Sequence, residues 1–238
     1  MSTTSNEELF SNPADEQAYE DFVANQEPVE KFELAEPALV CRWRMSQKHV
    51  PMLNRHIRAL SQRRVQGEPL TTNMLSWAKQ HVEWSLTEGD YTAVDGVLML
   101  VIDINGNAAM TVGEYAPLAD ARLETLAARA AQAREESAET GVAPELLAWV
   151  EDGVLSFAAA ADEHLCGTAT LVEQLARTKG VTVVRASGVA PAGSAPFLIS
   201  DEHGIVAATD ADAASGADAE FVRFLADGYK KLCAQKQR

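Results

Sequence analysis

Lysine is missing from the middle of this chain. The seven lysines are Lys31, Lys48, Lys79, Lys179, Lys230, Lys231 and Lys236, so the whole stretch between Lys79 and Lys179 offers no side-chain amine. Cysteine is scarce: Cys41, Cys166 and Cys233 are an odd number at unrelated spacings, which suits a reducing compartment better than a disulfide framework. No apolar run approaches the length of a membrane-spanning helix. No basic-then-apolar segment resembles an export signal, so the expectation is a cytoplasmic protein. Basic charge is also short, with 20 Lys and Arg against 35 Asp and Glu and a formal net charge of −15. That balance disfavours nucleic acid and anionic membrane as partners. Several chemical signatures are absent as well. His164-x-Cys166 has no second ligand pair for zinc. Gly188, Gly193 and Gly204 compose no phosphate loop. The acidic run from Asp210 to Asp218 lacks the ligand order of a calcium loop. No internal repeat is visible.

The acidity that is present is concentrated. Residues 1–36 carry ten acidic residues against Lys31 alone, a net −9 that leaves −6 for the other 202. Such a segment struggles to bury enough apolar surface to offset its ordering entropy. We read it as an acidic arm in which Leu9, Phe10, Tyr19, Phe22 and Val23 allow one or two short helices. The chain as a whole is 47% hydrophobic and 23% charged, ordinary for a globular protein.

The last third is the most legible part. Thr170 and Glu173 have capping-box spacing, followed by an apolar stripe of Leu171, Val172, Leu175 and Ala176 and by Gly180 as a helix stop. Val181 to Val184 is rich in β-branched residues and reads as a strand. Phe197-Leu198-Ile199 and Ile205 to Ala208 read as two strands reversing around His203-Gly204. A helix is expected from Asp218 to about Cys233, with Lys230 and Lys231 in its last turn, where the helix dipole favours cations. Upstream, Pro37 to Arg44 reads as a strand, and Leu53, His56, Ile57 and Leu60 share a helical face. Thr71-Thr72 caps a helix to about Leu86, with Trp77 and Trp84 assigned to core or interface. Gly96 to Ile104 is a central strand, turned by Asn105-Gly106 in a type I′ hairpin and returning over Ala108 to Val112. Pro117 to about Thr140 is a long alanine-rich helix ended by Gly141. Glu145 to Leu155 is a strand, an Asp-Gly turn and a second strand.

That order, with those residues, resembles the fold-type IV pyridoxal-phosphate enzymes: the branched-chain and D-amino-acid aminotransferases and the aminodeoxychorismate lyases. Leu165-Cys166-Gly167-Thr168-Ala169-Thr170 stands where the family has a Leu-Pro-Gly-Ile-Thr-like turn. Phe197-Leu198-Ile199-Ser200-Asp201 stands for its Phe-Leu-Thr-Gly-Thr-like strand end. Arg44 with Asn54-Arg55-His56-Ile57 stands for its strand arginine and following helix. The resemblance implies a two-domain α/β (α+β) fold, with the acidic arm at 1–36, a small α+β domain at 37–115 and a larger α/β domain at 116–238. It also implies a homodimer, and a cleft lined by Arg44, Gly167, Thr168, Ser200 and Asp201 where relatives hold the cofactor phosphate.

The chemistry of that family is not written here. Its aldimine-forming lysine has no counterpart, and the basic residue standing there, Arg122, carries a guanidinium that cannot serve as the amine nucleophile. Ser156 stands in place of the glutamate that contacts the pyridine nitrogen. Asp201-Glu202 brings two carboxylates where the family offers hydroxyls to a phosphate. The expectation is a class IV aminotransferase-like protein without a cofactor, in a non-catalytic binding or assembly role. Its cleft should be closed by a salt bridge from Arg44 to Asp201 and Glu202, leaving room for a small neutral or zwitterionic ligand. The alternative is an active aminotransferase or lyase holding pyridoxal 5'-phosphate, with its site at other residues.

Overall fold

The computed structural model describes residues 33–89, 91–211 and 216–235. The helices expected in the acidic arm, and residues 212–215 of the acidic loop, lie outside the described residues. β-Branched and apolar runs pair into two main sheets. In the first, β1 (Pro37–Met45) and β4 (Gly96–Asp103) run antiparallel, and β5 (Ala108–Gly113) continues from β4. Between β1 and β4 the chain forms α1 (Leu53–Leu60), a ribbon of β2 (Arg64–Val65) and β3 (Glu68–Pro69), and α2 (Thr72–Glu88). The period of two along β1 separates its faces. Leu39, Cys41, Trp43 and Met45 bury against Leu98 and Leu100 of β4, Leu53 and Leu60 of α1, and Val82 and Leu86 of α2. Val40, Arg42 and Arg44 therefore face the other way.

The second sheet has the order β10-β9-β6-β7-β8. Its strands are β6 (Leu146–Glu151), β7 (Val154–Ala158), β8 (Thr182–Ala186), β9 (Ala195–Ser200) and β10 (Gly204–Ala207). All pairs are antiparallel except β7 with β8, which are joined through α4 (Gly167–Thr178). One face packs on α4 and on α5 (Ala217–Ala234) through Ala148, Phe157, Phe197, Ile199, Val172 and Leu225. The other packs Leu147 and Leu198 on Leu126 and Ala130 of α3 (Leu123–Thr140). β9 is buried at every position because both faces are covered. Each large side chain buried there contributes roughly 1.5–3 kcal/mol by leaving water. The mixed α+β class is as the sequence implied.

Several local expectations are met by specific contacts. The Thr71 hydroxyl accepts from the Met74 N–H at the start of α2. Gly141 and Gly180 take positive φ after their helices, as residues ending a helix do. Others are corrected. The turn with positive φ at both central residues is Asp152-Gly153, between β6 and β7. At Asn105-Gly106 only Gly106 has positive φ. There the buried Asp103 carboxylate accepts from the N–H groups of Asn105 and Asn107 and from the Asn107 amide, and this holds a wider loop. α3 starts at Leu123 and not at Pro117. α4 starts at Gly167, with Cys166 as its N-cap residue, so the Thr170 capping box does not form. The Thr170 hydroxyl donates to the Gly167 carbonyl inside the first turn, while Glu173 pairs with Arg177 one turn on.

Candidate functional site

α4 begins without a local cap, and its first N–H groups need acceptors. Asp201, 34 residues beyond Gly167, supplies them. Its Oδ2 accepts from the Gly167 N–H at 3.2 Å and its Oδ1 from the Thr168 N–H at 2.8 Å. The tight turn between β9 and β10 puts it there. The Ser200 hydroxyl accepts from the N–H groups of Glu202 and His203, and Gly204 takes φ +78°. The Asp201 carbonyl accepts from the Arg44 N–H at 2.9 Å, tying β1 to this turn.

His56 of α1 completes the arrangement. Its Nδ1 lies 3.2 Å from Asp201 Oδ2, in ion-pair range though poorly aligned for a hydrogen bond. Its Nε2 lies 3.1 Å from the Pro51 carbonyl, and its ring stacks on Trp43. The imidazole presses so closely on Gly167 that a Cβ there would meet Nδ1 at 2.5 Å; only glycine allows α1 and α4 this approach. Burial by itself would raise the Asp201 pKa. The His56 charge and the donors of Thr168 outweigh it and hold the carboxyl down at about 2. The result is a fixed carboxylate on a helix N-terminus.

A second layer surrounds it. Arg42 makes a two-point pair with Glu202, Nε to Oε2 at 2.8 Å and Nη2 to Oε1 at 2.9 Å. Arg129 of α3 donates to both carboxylate oxygens of Glu136 and lies 3.2 Å from Glu145. Burial pushes the Glu145 carboxyl up, against the pull of Arg129. Glu145, Glu202 and His203 are the one trio among the described residues whose ligand atoms lie within 4.8 Å of one another. Arg42 and Arg129 already occupy those carboxylates, so the trio makes a poor cation site. Cys166 is no nucleophile: burial, reinforced by the Asp201 charge, raises its thiol well above the ordinary value, which withholds the thiolate. Between these groups remains a cavity of about 90 Å³ lined by Arg42, His56, Arg129, Glu145, Cys166 and Asp201.

The structure thus brings together Gly167, Thr168, Ser200 and Asp201, the two segments singled out in the sequence. Arg44 is connected to them through its backbone alone. The expected salt bridge from Arg44 to Asp201 and Glu202 does not form; Arg42 pairs with Glu202, and the Arg44 guanidinium lies over the Tyr115 ring at 3.7 Å. The period of two in β1 puts both arginines on one face, and their spacing along the strand divides them between two sites. Sequence reading missed Arg42, Arg129 and Glu145. The alternation Cys41-Arg42-Trp43-Arg44 was the signal for Arg42; the other two meet only through tertiary packing. Arg122, at the start of α3, is turned outward to Asp210.

No protein-family model matches the sequence, and none of the curated proteins does. Solved structures do. A branched-chain aminotransferase of Thermoproteus uzoniensis matches with TM-score 0.55 and 11% identity, over 88% of this chain and 92% of that one. A hypothetical aminotransferase of Mycobacterium tuberculosis, in a pyridoxal-phosphate-bound form, matches with TM-score 0.52 and 12% identity, over 85% and 94%. A protein provisionally assigned as a 4-amino-4-deoxychorismate lyase of Legionella pneumophila matches with TM-score 0.53 and 11% identity, over 84% and 96%. The chain therefore has the fold of class IV aminotransferases and aminodeoxychorismate lyases. At these identities the likeness speaks for the fold alone.

Proposed function

We propose that this chain keeps the fold-type IV scaffold without its cofactor and serves as a non-catalytic binding or assembly protein. The observation that carries this reading is the Asp201 carboxylate on the first N–H groups of α4. A helix N-terminus is a natural phosphate site, and here an internal anion takes those donors. A phosphate dianion about 4 Å from that carboxylate would meet repulsion on the order of 4 kcal/mol per charge pair at an effective dielectric near 20. The residues present therefore do not suit pyridoxal phosphate.

Two further observations support the reading. Among the described residues no lysine lines the cavity beside Asp201, and its volume of about 90 Å³ is well short of the ~300 Å³ where small-molecule sites begin. Most of its charges are mutually paired, Arg42 with Glu202, Arg129 with Glu136 and Glu145, and His56 with Asp201, which favours a small neutral or zwitterionic ligand. Association as a homodimer in a reducing cytoplasm belongs to the same proposal; the three thiols are free, two of them buried.

Spectroscopic titration with pyridoxal phosphate tests it. The purified protein is expected to stay colourless and to show no aldimine band that borohydride fixes into the chain. One stoichiometric adduct on a lysine would overturn the reading in favour of an enzyme.

A further inference from the structure

The turn between β9 and β10 divides its side chains between two cavities: Glu202 lines the small one beside Asp201, and His203 lines a larger one with no lining residue in common. The larger cavity, of about 600 Å³, opens between β9, β10 and α5. Its size is that of a small-molecule site. Apolar wall comes from both sides, Pro196, Ile205 and Val206 from the strands and Val222 and Ala226 from α5. Titratable residues line it too, but nearly all are already committed. The Arg44 guanidinium lies over the Tyr115 ring, with its Nη1 inaccessible to solvent. The Tyr229 hydroxyl is inaccessible as well and lies against the Cys233 thiol one turn on. The Tyr115 hydroxyl and His203 Nδ1 are 3.3 Å apart. Asp227 and Lys230 pair at 3.9 Å along α5. Arg223 is exposed, and a long arginine on a helix surface keeps its charge in water.

Such a wall offers contact area and no free charge. Burial first, then the charges of Arg129, Arg42 and Arg44, hold the His203 pKa down at about 4, so at neutral pH the imidazole adds no cation. An ion entering the cavity would give up its hydration without gaining an open counter-charge, which is costly. An uncharged apolar body has little hydration to lose. It displaces water that an apolar wall holds poorly, and that exchange is favourable.

We propose that this cavity binds an uncharged, mostly apolar small molecule, held by contact with β9, β10 and α5 and not by an ion pair. The proposal rests on the reading of the chain as a binding protein and deepens it, giving that role a ligand class and a place. Because the two cavities have no lining residue in common, it stands or fails apart from the pyridoxal phosphate titration.

Calorimetry on the full chain with three molecules of one shape tests it: 3-phenylpropanol, the hydrocinnamate anion and the 3-phenylpropylammonium cation. We expect saturable one-to-one binding of the alcohol with a negative heat-capacity change, and both ions weaker by about tenfold or more. Two substitutions at lining residues fill the cavity from opposite sides, Ala219→Trp from the first turn of α5 and Ala207→Leu from β10. Each should keep the protein folded and cut the affinity for the alcohol by about tenfold; should one fail to fold, the other still reads the effect. Excess pyridoxal phosphate should not displace the alcohol. Either ion binding as tightly as the alcohol, unchanged affinity in a folded cavity-filling variant, or no saturable binding of the alcohol at millimolar concentration overturns the assignment.

Discussion

Asp201 owes its low pKa to where the fold puts it. Its side chain is 17% exposed, and desolvation opposes its charge, yet His56 and the Thr168 donors bring the carboxyl to about 2. An aspartate in the unfolded chain titrates near 3.9. The folded value is the lower one, so the carboxylate adds stability above about pH 4 and loses it as pH falls toward about 2. The shift corresponds to roughly 2 kcal/mol. In urea unfolding, Asp201→Asn should therefore be the less stable protein at neutral pH, and its deficit should shrink between about pH 4 and about pH 2. A deficit that stays constant across that interval would mean that the cap works by geometry alone.

At the scale of elements, two glycines with similar backbones carry different loads. Gly204 has φ +78° and turns β9 into β10 under the Tyr229 ring of α5. Gly153 has φ +74° and turns β6 into β7 with no atom within 4 Å of an added Cβ. Alanine at Gly153 should cost only the left-handed penalty, about 1–2 kcal/mol. Alanine at Gly204 adds a clash with an aromatic ring in the core, and the total should reach about 2–5 kcal/mol. Thermal unfolding of both variants separates the terms; equal losses would mean that α5 shifts freely away from the turn.

At the scale of the whole molecule, the unexplained surface is on α2. Trp77 is 43% and Trp84 63% exposed, with His81 stacked on Trp77 between them. Large exposed aromatics of this kind favour an interface over open solvent, and they are the residues through which we expect a homodimer. Sedimentation velocity at tens of micromolar should show the dimer, and a Trp77→Ser, Trp84→Ser double variant should sediment as a monomer. A monomeric wild type would remove the proposal.

The sequence by itself determined most of the elements and their order, though not the short ribbon of β2 and β3. Periodicity of two and of 3.6, the Thr71 cap and the glycines at 141 and 180 are local signals, and each reflects forces acting within a few residues. That Leu165–Thr170 and Phe197–Asp201 meet was implied by their resemblance to the family's two segments, and the structure shows the contact. Sequence reading misassigned the start of α4, because the cap that holds that end is not the nearby Thr170 but a carboxylate 34 residues away. It paired the wrong arginine with Glu202 for the same reason. Which of two guanidiniums on one strand face reaches a given carboxylate depends on how the two sheets are set against each other. The larger cavity with its Arg44 and Tyr229 had no signature in the sequence at all. It exists because a turn from one strand pair, the last helix and the end of β1 converge, and only the tertiary structure brings residues from such distant positions into one wall.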